Sequence, residues 1–581
     1  MANATLQRSP KPIASASLFG LLKPYKWWVL LLTVLTLVAN GFNLLVPQVT
    51  ARAIDAYTNH NLVTSTVVWE FLIIAGGIFI FTFLQSAVQV FASERVARDL
   101  RNKLAAKISV QEYATIERIT ASRLLTNLTS DIDAVKTFVS QAIASIISSV
   151  FLIVGSCTLL LFLNWRLALG VIAILPFIMV SFYLVLGRVR KLFRSQQEVI
   201  DWLNKVISES IWGAALIRLL DSHTQEFDKF EKANSASRNF GLRIVGYFSL
   251  LIPTITFLTN LATLLILELG GFYVIHGTMT LGNFTAFNNY LIILIFPILV
   301  IGFMSNVIAQ AAASYARVME VMSHKDPEDT GTITTPLTGL IEAKDIVLQY
   351  DQKHTLRDVT FTIKPGTRNA IIGPTAAGKT QLLYLLTGLL QPTSGLIEYD
   401  GKPLADYQKR PFYEQIGFVF QDSIVFNLTL RENIAFSNTV NDEDLRKAID
   451  TAELQDFIAA LPEGLDTIVS ERGTSLSGGQ KQRIMLARAL ALNPKILLLD
   501  DFTARVDTNT EHKILANVAQ NYPGLTLISV TQKIAPIESY DQVILLMEGE
   551  ILAVGTHAEL IHSSPEYVQI YDSQKSTENY E

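Results

Sequence analysis

Cysteine is almost absent: the 581 residues hold one, Cys157, and it sits inside an apolar run. That excludes a disulfide framework and a thiolate metal site. Charge is scarce too, with Asp, Glu, Lys and Arg making up 17% of the chain against 50% hydrophobic residues. Soluble chains carry roughly 25% charged residues, so this balance points to a membrane protein. Basic charge is not in excess either, because 47 Lys and Arg stand against 52 Asp and Glu, a formal net charge of −5. Without a basic surface for a phosphate backbone, no nucleic-acid partner is expected. The length is several times the ~100–150 residues of one domain, so at least two folding units are expected.

Long apolar runs dominate residues 1–322, which read as a transmembrane domain. Ser323 to Thr332, rich in turn formers and charge, opens a linker over 323–339. Residues 340–572 alternate short strand-like and helix-like segments, as in a water-soluble α/β domain, and 573–581 read as a polar, frayed tail.

Six runs lie near Trp27 to Val46, Val67 to Phe91, Ile143 to Leu163, Leu167 to Leu186, Ile244 to Ile275 and Phe284 to Val307. Each is about 20 residues or longer, enough to cross a ~30 Å hydrocarbon core. An even number of crossings puts the N-terminus and the α/β domain in one compartment. Arg95, Arg98, Arg101, Lys103 and Lys107 after the second run, and Arg188, Arg190, Lys191 and Arg194 after the fourth, mark it as cytoplasmic. The first run reads as an uncleaved anchor, and the expected location is a cell (inner) membrane, multi-pass. About 50 residues separate each cytoplasmic pair of spans, room for helical stalks reaching some 30 Å below the membrane. Asn40, Asn43, Gln85, Gln89, Asn260 and Glu268 are polar groups within the runs, expected to face a cavity or a neighbouring helix. Two readings of Glu268 stay open: a substrate or cation contact, or a group hydrated near the outer interface. Phe79, Phe81, Phe83, Phe257, Phe287 and Phe303 read as lipid-facing or packing residues rather than a drug cage.

The α/β region carries the chemistry. A strand from Arg368 leads into Gly373-Pro374-Thr375-Ala376-Ala377-Gly378-Lys379-Thr380, and a helix from Gln381 to Leu390 follows. This is the G-x4-G-K-T phosphate-binding loop in its expected context. Its backbone N–H groups and helix N-terminus can cradle phosphate oxygens, Lys379 can reach the β- and γ-phosphates, and the Thr380 hydroxyl can bind Mg²⁺. Ile496 to Asp500 is an apolar strand ending in a carboxylate placed to hold Mg²⁺ through water. ATP and Mg²⁺ are therefore the expected cofactors. Upstream stand Gly417-Phe-Val-Phe-Gln421 and Leu476-Ser477-Gly478-Gly479-Gln480-Lys-Gln-Arg483.

The order and spacing of these motifs resemble the ATP-binding cassette (ABC) family, and Leu-Ser-Gly-Gly-Gln after such a loop is among its most specific signatures. Six spans fused to a C-terminal cassette look like a half-transporter of the exporter type. The resemblance implies a membrane α-helical domain with long cytoplasmic extensions, joined to an α/β P-loop NTPase cassette. Leu44 to Pro47 through Ile54-Asp55, Ser122 to Asp131 and Glu209 to Gly213 resemble exporter membrane-domain patterns. By the same resemblance, coupling helices near Tyr113 to Ile119 and Ile211 to Ile217 touch the cassettes, and two cassettes pair head to tail. Tyr350 stacks on adenine, Gln421 links Mg²⁺ to the membrane domain, and Glu471-Arg472-Gly473 lies near the coupling helices. Ser477 and Gly479 face the γ-phosphate held by the partner. The cargo implied is a small molecule, lipid or peptide, with a lean toward hydrophobic cargo.

Departures from the family pattern fall at the chemistry. Asp501 replaces the usual Glu that orients the attacking water, and a carboxylate withdrawn by about an ångström can cost ~10²-fold in rate. Gln532 replaces the usual switch His, and an amide cannot become a cation at neutral pH. Ala504-Arg-Val-Asp507 stands where the family has a sequence close to Ser-Ala-Leu-Asp, and Ala376 replaces a glycine. The pattern resembles the degenerate half of heterodimeric exporters, which implies an unlike, homologous partner subunit. The rivals are a homodimer with slow hydrolysis and an ATP-binding regulator or channel; an importer fits less well, because importers commonly keep these parts on separate chains.

Overall fold

The computed structural model describes residues 18–327, 329–350, 353–437, 439–470, 473 and 475–578. Among these residues it forms two units: one takes in 18–110 and Ile119–Lys325, the other Gln111–Arg118 and the described residues from Asp326 onward.

Among the described residues the first unit holds six helices long and apolar enough to cross a membrane: Lys23–Thr58, Thr64–Val110, Ala121–Leu163, Trp165–Trp212, His223–Ile275 and Leu281–Met322. The second, 47 residues long, reaches about 70 Å at ~1.5 Å per residue, more than twice the ~30 Å hydrocarbon core. The helix thus continues through the basic stretch beyond the apolar run, as the expected stalk requires. Phe79, Phe83 and Phe257 are exposed, whereas Phe287 is fully buried in a cluster with Leu167, Ile178, Phe182, Tyr290 and Leu294. Two of the polar residues serve packing. Asn40 is buried, donates to the Thr36 carbonyl at 2.8 Å and accepts from Ser148 Oγ at 3.1 Å, while Gln89 donates to the Ser140 carbonyl.

Two of the exporter-like patterns supply clasps between distant helices. Asp55 accepts from Thr280 Oγ1 and from the Gly282 N–H, both at 2.7 Å, and so satisfies the open end of the last helix. The backbones meet there closely: a Cβ on Gly282 would lie 2.1 Å from the Ala51 carbonyl oxygen. Asp131 is buried and holds the Arg317 guanidinium through both carboxylate oxygens, with Asn127 Nδ2 donating to it at 3.1 Å. A buried charge needs this much pairing to be tolerated.

The second unit contains a six-stranded sheet in the order β10-β9-β3-β8-β7-β6 and a four-stranded antiparallel sheet in the order β2-β1-β4-β5. In chain order the strands are β1 (Ile341–Tyr350), β2 (Lys353–Ile363), β3 (Arg368–Ile372), β4 (Ser394–Tyr399), β5 (Lys402–Pro403), β6 (Ile416–Val419), β7 (Ile496–Asp500), β8 (Thr526–Val530), β9 (Gln542–Met547) and β10 (Glu550–Gly555). All pairings in the larger sheet are parallel except β10 with β9. β7 and β8 are buried along their whole length, which is why they read as unbroken apolar runs.

The first connecting helix has its expected bounds, and several others shift. Tyr113–Ile119 is one short helix, and Tyr113, within the second unit, packs edge-on against Tyr384 with ring centroids 5.3 Å apart. The helix expected over Ile211 to Ile217 is not a single element: Leu175–Trp212 runs through Trp212, Gly213 leaves helical geometry, and Ala214–Leu219 begins anew. The helix after the phosphate-binding loop spans Lys379–Leu386 and stops before Gly388, whose φ is +72°. The stretch expected to fray after Tyr571 is helical to Glu578, in a helix that begins at Pro565.

Candidate functional site

The larger sheet brings the chemistry together. Register aligns Ile371 of β3 with Val530 of β8, and Val530 with Asp500 of β7, so the segments leaving the carboxyl ends of three adjacent parallel strands converge. Ligands bind at such ends in open α/β sheets. A cleft of about 110 Å³ lies there, lined by Thr375 to Gln381, Gln421, Asp500, Asp501, Val530, Thr531 and Gln532. That is well below the ~300–1,000 Å³ of a whole small-molecule pocket, so the cleft encloses only part of a ligand.

Glycine is obligatory at both ends of the loop. Gly373 has φ +152°, and a Cβ there would sit 1.9 Å from the Leu546 carbonyl oxygen; Gly378 has φ +98° and lies against Leu356 and the Thr355 carbonyl. Ala376 adopts φ 65°, the left-handed region its replacement of glycine makes unfavourable. Lys379 is buried and donates to the Gly373 and Pro374 carbonyls, each at 2.8 Å. Burial lowers its pKa, and the Asp501 and Asp500 carboxylates raise it in part.

Thr380 Oγ1 donates to Asp500 Oδ1 at 3.2 Å. Asp500 Oδ2 is buried with no hydrogen-bond partner, and burial pushes the carboxyl up to about 6, with Asp501 adding to the rise and Thr380 and Lys379 opposing it. An orphaned carboxylate oxygen beside a hydroxyl and the Gln421 amide is an all-oxygen donor set, suited to a hard divalent cation. Asp501 stands next in the same cleft at φ 48°, its N–H bonded to the Val530 carbonyl at 2.9 Å.

Tyr350 ends β1, paired with Lys353, and is 44% exposed. Among the described residues, neither it nor the signature lines the cleft. Ser477 instead caps the helix Gly478–Leu490: its Oγ accepts from the Gln480 N–H at 3.2 Å, and Gln480 Oε1 accepts from the Ser477 N–H at 2.8 Å. Ser477, Gly478 and Gly479 line a separate concavity with Arg483, Arg505, Val506 and Asp507. Gly479 is needed there, since a Cβ would approach the Arg505 carbonyl oxygen to 2.9 Å. Arg483 and Arg505 are lining residues that the sequence does not announce, although each lies within a motif quoted above, Leu476 to Arg483 and Ala504 to Asp507. Glu471 and Arg472 lie outside the described residues. Glu268 occupies a π-helical turn over Ile266–Gly270 and is exposed on the chain.

Comparison with known proteins matches residues 29–298 to the family described as ABC transporter transmembrane region and residues 356–504 to ABC transporter. An uncharacterized ABC transporter ATP-binding protein of Bacillus subtilis (strain 168), YfiB, is 32% identical over 96% of this chain and 98% of its own. The ATP-dependent lipid A-core flippase of Syntrophus aciditrophicus (strain SB) is 29% identical over 85% of this chain and 83% of its own. Among solved structures, a bacterial Atm1-family ABC exporter with ATP bound superposes with a TM-score of 0.76 at 23% identity, covering 95% of this chain and 99% of that one.

Proposed function

The chain belongs to the ABC transporter family, its membrane region and ATP-hydrolysing cassette fused in one half-transporter, and from that premise we propose that it is the weakly hydrolysing half of a heterodimeric exporter. The observation that carries this reading is the convergence of Asp501 and Gln532 on one cleft with Lys379, Thr380 and Asp500. Both substitutions bear on cleavage of the γ-phosphate, while the groups that hold ATP are kept. In this reading Gly373 to Thr380 cradle the phosphates, Tyr350 stacks on adenine, and Asp501 and Gln532 are the impaired catalytic pair. Thr380, Asp500 and Gln421 hold Mg²⁺, which when bound neutralises phosphate charge. Ser477 to Gln480 serve the partner's ATP rather than this chain's own, which fits their place in a separate concavity.

The functional division is a transmembrane domain over 1–322, a linker over 323–339 and a cassette over 340–572. The N-terminus and cassette lie on the cytoplasmic side of a bacterial inner membrane, on the strength of the basic stretches after the second and fourth spans. ATP sandwiched between this cassette and that of a homologous subunit draws the two together, and closure switches the spans from inward- to outward-facing. The apolar spans and the lipid flippase among the relatives support a hydrophobic or amphipathic cargo.

The test is ATP hydrolysis by the chain purified alone in lipid, beside an Asp501→Glu, Gln532→His double variant. Negligible turnover with ATP binding retained, and gain in the double variant, is the expected result. Robust turnover of the natural chain overturns the reading in favour of a working homodimer. ATP binding without turnover in either form favours a nucleotide-binding regulator.

A further inference from the structure

The C-terminal helix Pro565–Glu578 makes a contact that the nucleotide chemistry above does not use. It is anchored by Tyr567, fully buried with its phenol oxygen 2.6 Å from His557 Nδ1, and by Ile570 and Tyr571, packed on the cluster that includes Ile534, Ile537 and Tyr540. This fixes the helix beside the segment that follows β8 and carries Gln532. Gln574 spans that segment. Its Nε2 donates to the Gln532 carbonyl oxygen at 2.6 Å, and its Oε1 accepts from the Ile534 N–H at 2.9 Å. A side-chain amide both donates and accepts, so Gln574 meets the backbone on either side of Lys533 as a neighbouring strand would. Thr531 secures the other end of the segment, its N–H bonded to the Ile371 carbonyl of β3 at 3.2 Å and its Oγ1 accepting from the Lys533 N–H at 3.1 Å.

We propose that Gln574 is a positioning residue for the hydrolysis step. By holding the backbone at Gln532 and Ile534, it fixes the point from which the residue 532 side chain enters the cleft; this rests on the reading that residue 532 acts on the γ-phosphate there. With the carbonyl of 532 tied to the helix and residue 531 tied to β3, the side chain keeps only its own rotations. Loss of the amide frees the backbone and lets residue 532 drift from the phosphate. The cleft is otherwise untouched, because Gln574 contacts none of the ATP-holding groups named above.

Two measurements on the full chain in lipid decide this. The first is hydrogen–deuterium exchange across residues 531–535 in Gln574→Ala and Gln574→Glu. The Ile534 amide should exchange about fivefold faster in the Ala variant, which loses its acceptor, and by less in the Glu variant, which keeps an acceptor for Ile534 but sets a carboxylate oxygen against the Gln532 carbonyl. The second is ATP hydrolysis, in whichever of the natural chain and the Asp501→Glu, Gln532→His variant turns over faster, with Gln574→Ala added. A fall in kcat of about tenfold with KM for ATP within about twofold is expected, since displacement of a positioned group costs rate rather than binding. Unchanged exchange at Ile534 would show that the clamp does not exist. Faster exchange with unchanged kcat would mean that Gln574 merely secures the helix end. Failure of the heterodimer reading is seen separately, in the turnover of the chain without any change at Gln574.

Discussion

Asp501→Glu alone should raise kcat for ATP about 100-fold. The backbone at this position is not free to compensate for the shorter side chain, because its N–H is bonded to the Val530 carbonyl at 2.9 Å and its φ is 48°. The missing methylene therefore leaves the carboxylate withdrawn by about an ångström, a displacement worth ~10²-fold, or about 2.7 kcal/mol at ~1.36 kcal/mol per tenfold. Gln532→His is expected to give less. An amide still donates a hydrogen bond to a phosphate oxygen, and a charged donor improves on it by about 1 kcal/mol, roughly fivefold. Because both groups line one cleft, the double variant need not show the product of the two gains. The left-handed φ adds a separate effect: Asp is tolerated there more readily than Glu, so the Glu variant should unfold at a lower temperature without a matching loss of rate. The assay is steady-state hydrolysis in lipid over a range of ATP, with KM expected to hold within about twofold. A rise of less than threefold from Asp501→Glu, with ATP binding intact, would refute the argument that carboxylate reach limits this site.

Asp500 sets a pH dependence. Its folded pKa of about 6 lies above the ordinary 3.8, so its own contribution to nucleotide-free stability is full below the ordinary carboxylate range and is lost as pH climbs through about 6, by at most about 3 kcal/mol. The melting temperature of the nucleotide-free natural chain less that of Asp500→Asn should fall between pH 4 and pH 7.5 with this slope; a difference that does not change with pH would refute it. Gly282→Ala should destabilise the membrane unit by about 1–3 kcal/mol or more, since the added carbon meets the Ala51 carbonyl oxygen at 2.1 Å; thermal unfolding in detergent checks this, with ATP binding unchanged. Ala376→Gly should stabilise the cassette by about 0.5–1 kcal/mol, the left-handed strain relieved less the extra freedom of glycine when unfolded. Unchanged or lower melting temperature would show that the loop carries no such strain.

What could be read from the sequence was what is local or long. The spans announce themselves by length, because any crossing needs about 20 apolar residues in a row. The phosphate-binding loop announces itself because Gly373 and Gly378 face backbone approaches that no side chain survives, and β7 and β8 because strands buried on both faces become unbroken apolar runs. The second connecting helix was misplaced because Gly213 breaks a helix that the flanking residues would continue. Contacts between distant positions left no such trace. Asp55 was noticed as part of an exporter-like pattern, yet its partners Thr280 and Gly282 lie more than 200 residues away, and only folding reveals what its carboxylate does. The same holds more strongly for Gln574. A glutamine on a polar helix near the C-terminus carries no periodicity, spacing or composition to distinguish it from a solvated surface residue. Its meaning comes from the two backbone groups it reaches, 42 and 40 residues earlier in the chain, and from the anchoring of its helix by Tyr567. Motifs identify the groups that meet the ligand. The groups that hold those in place are chosen by geometry, and many side chains able to form one donor–acceptor pair would look the same in a sequence.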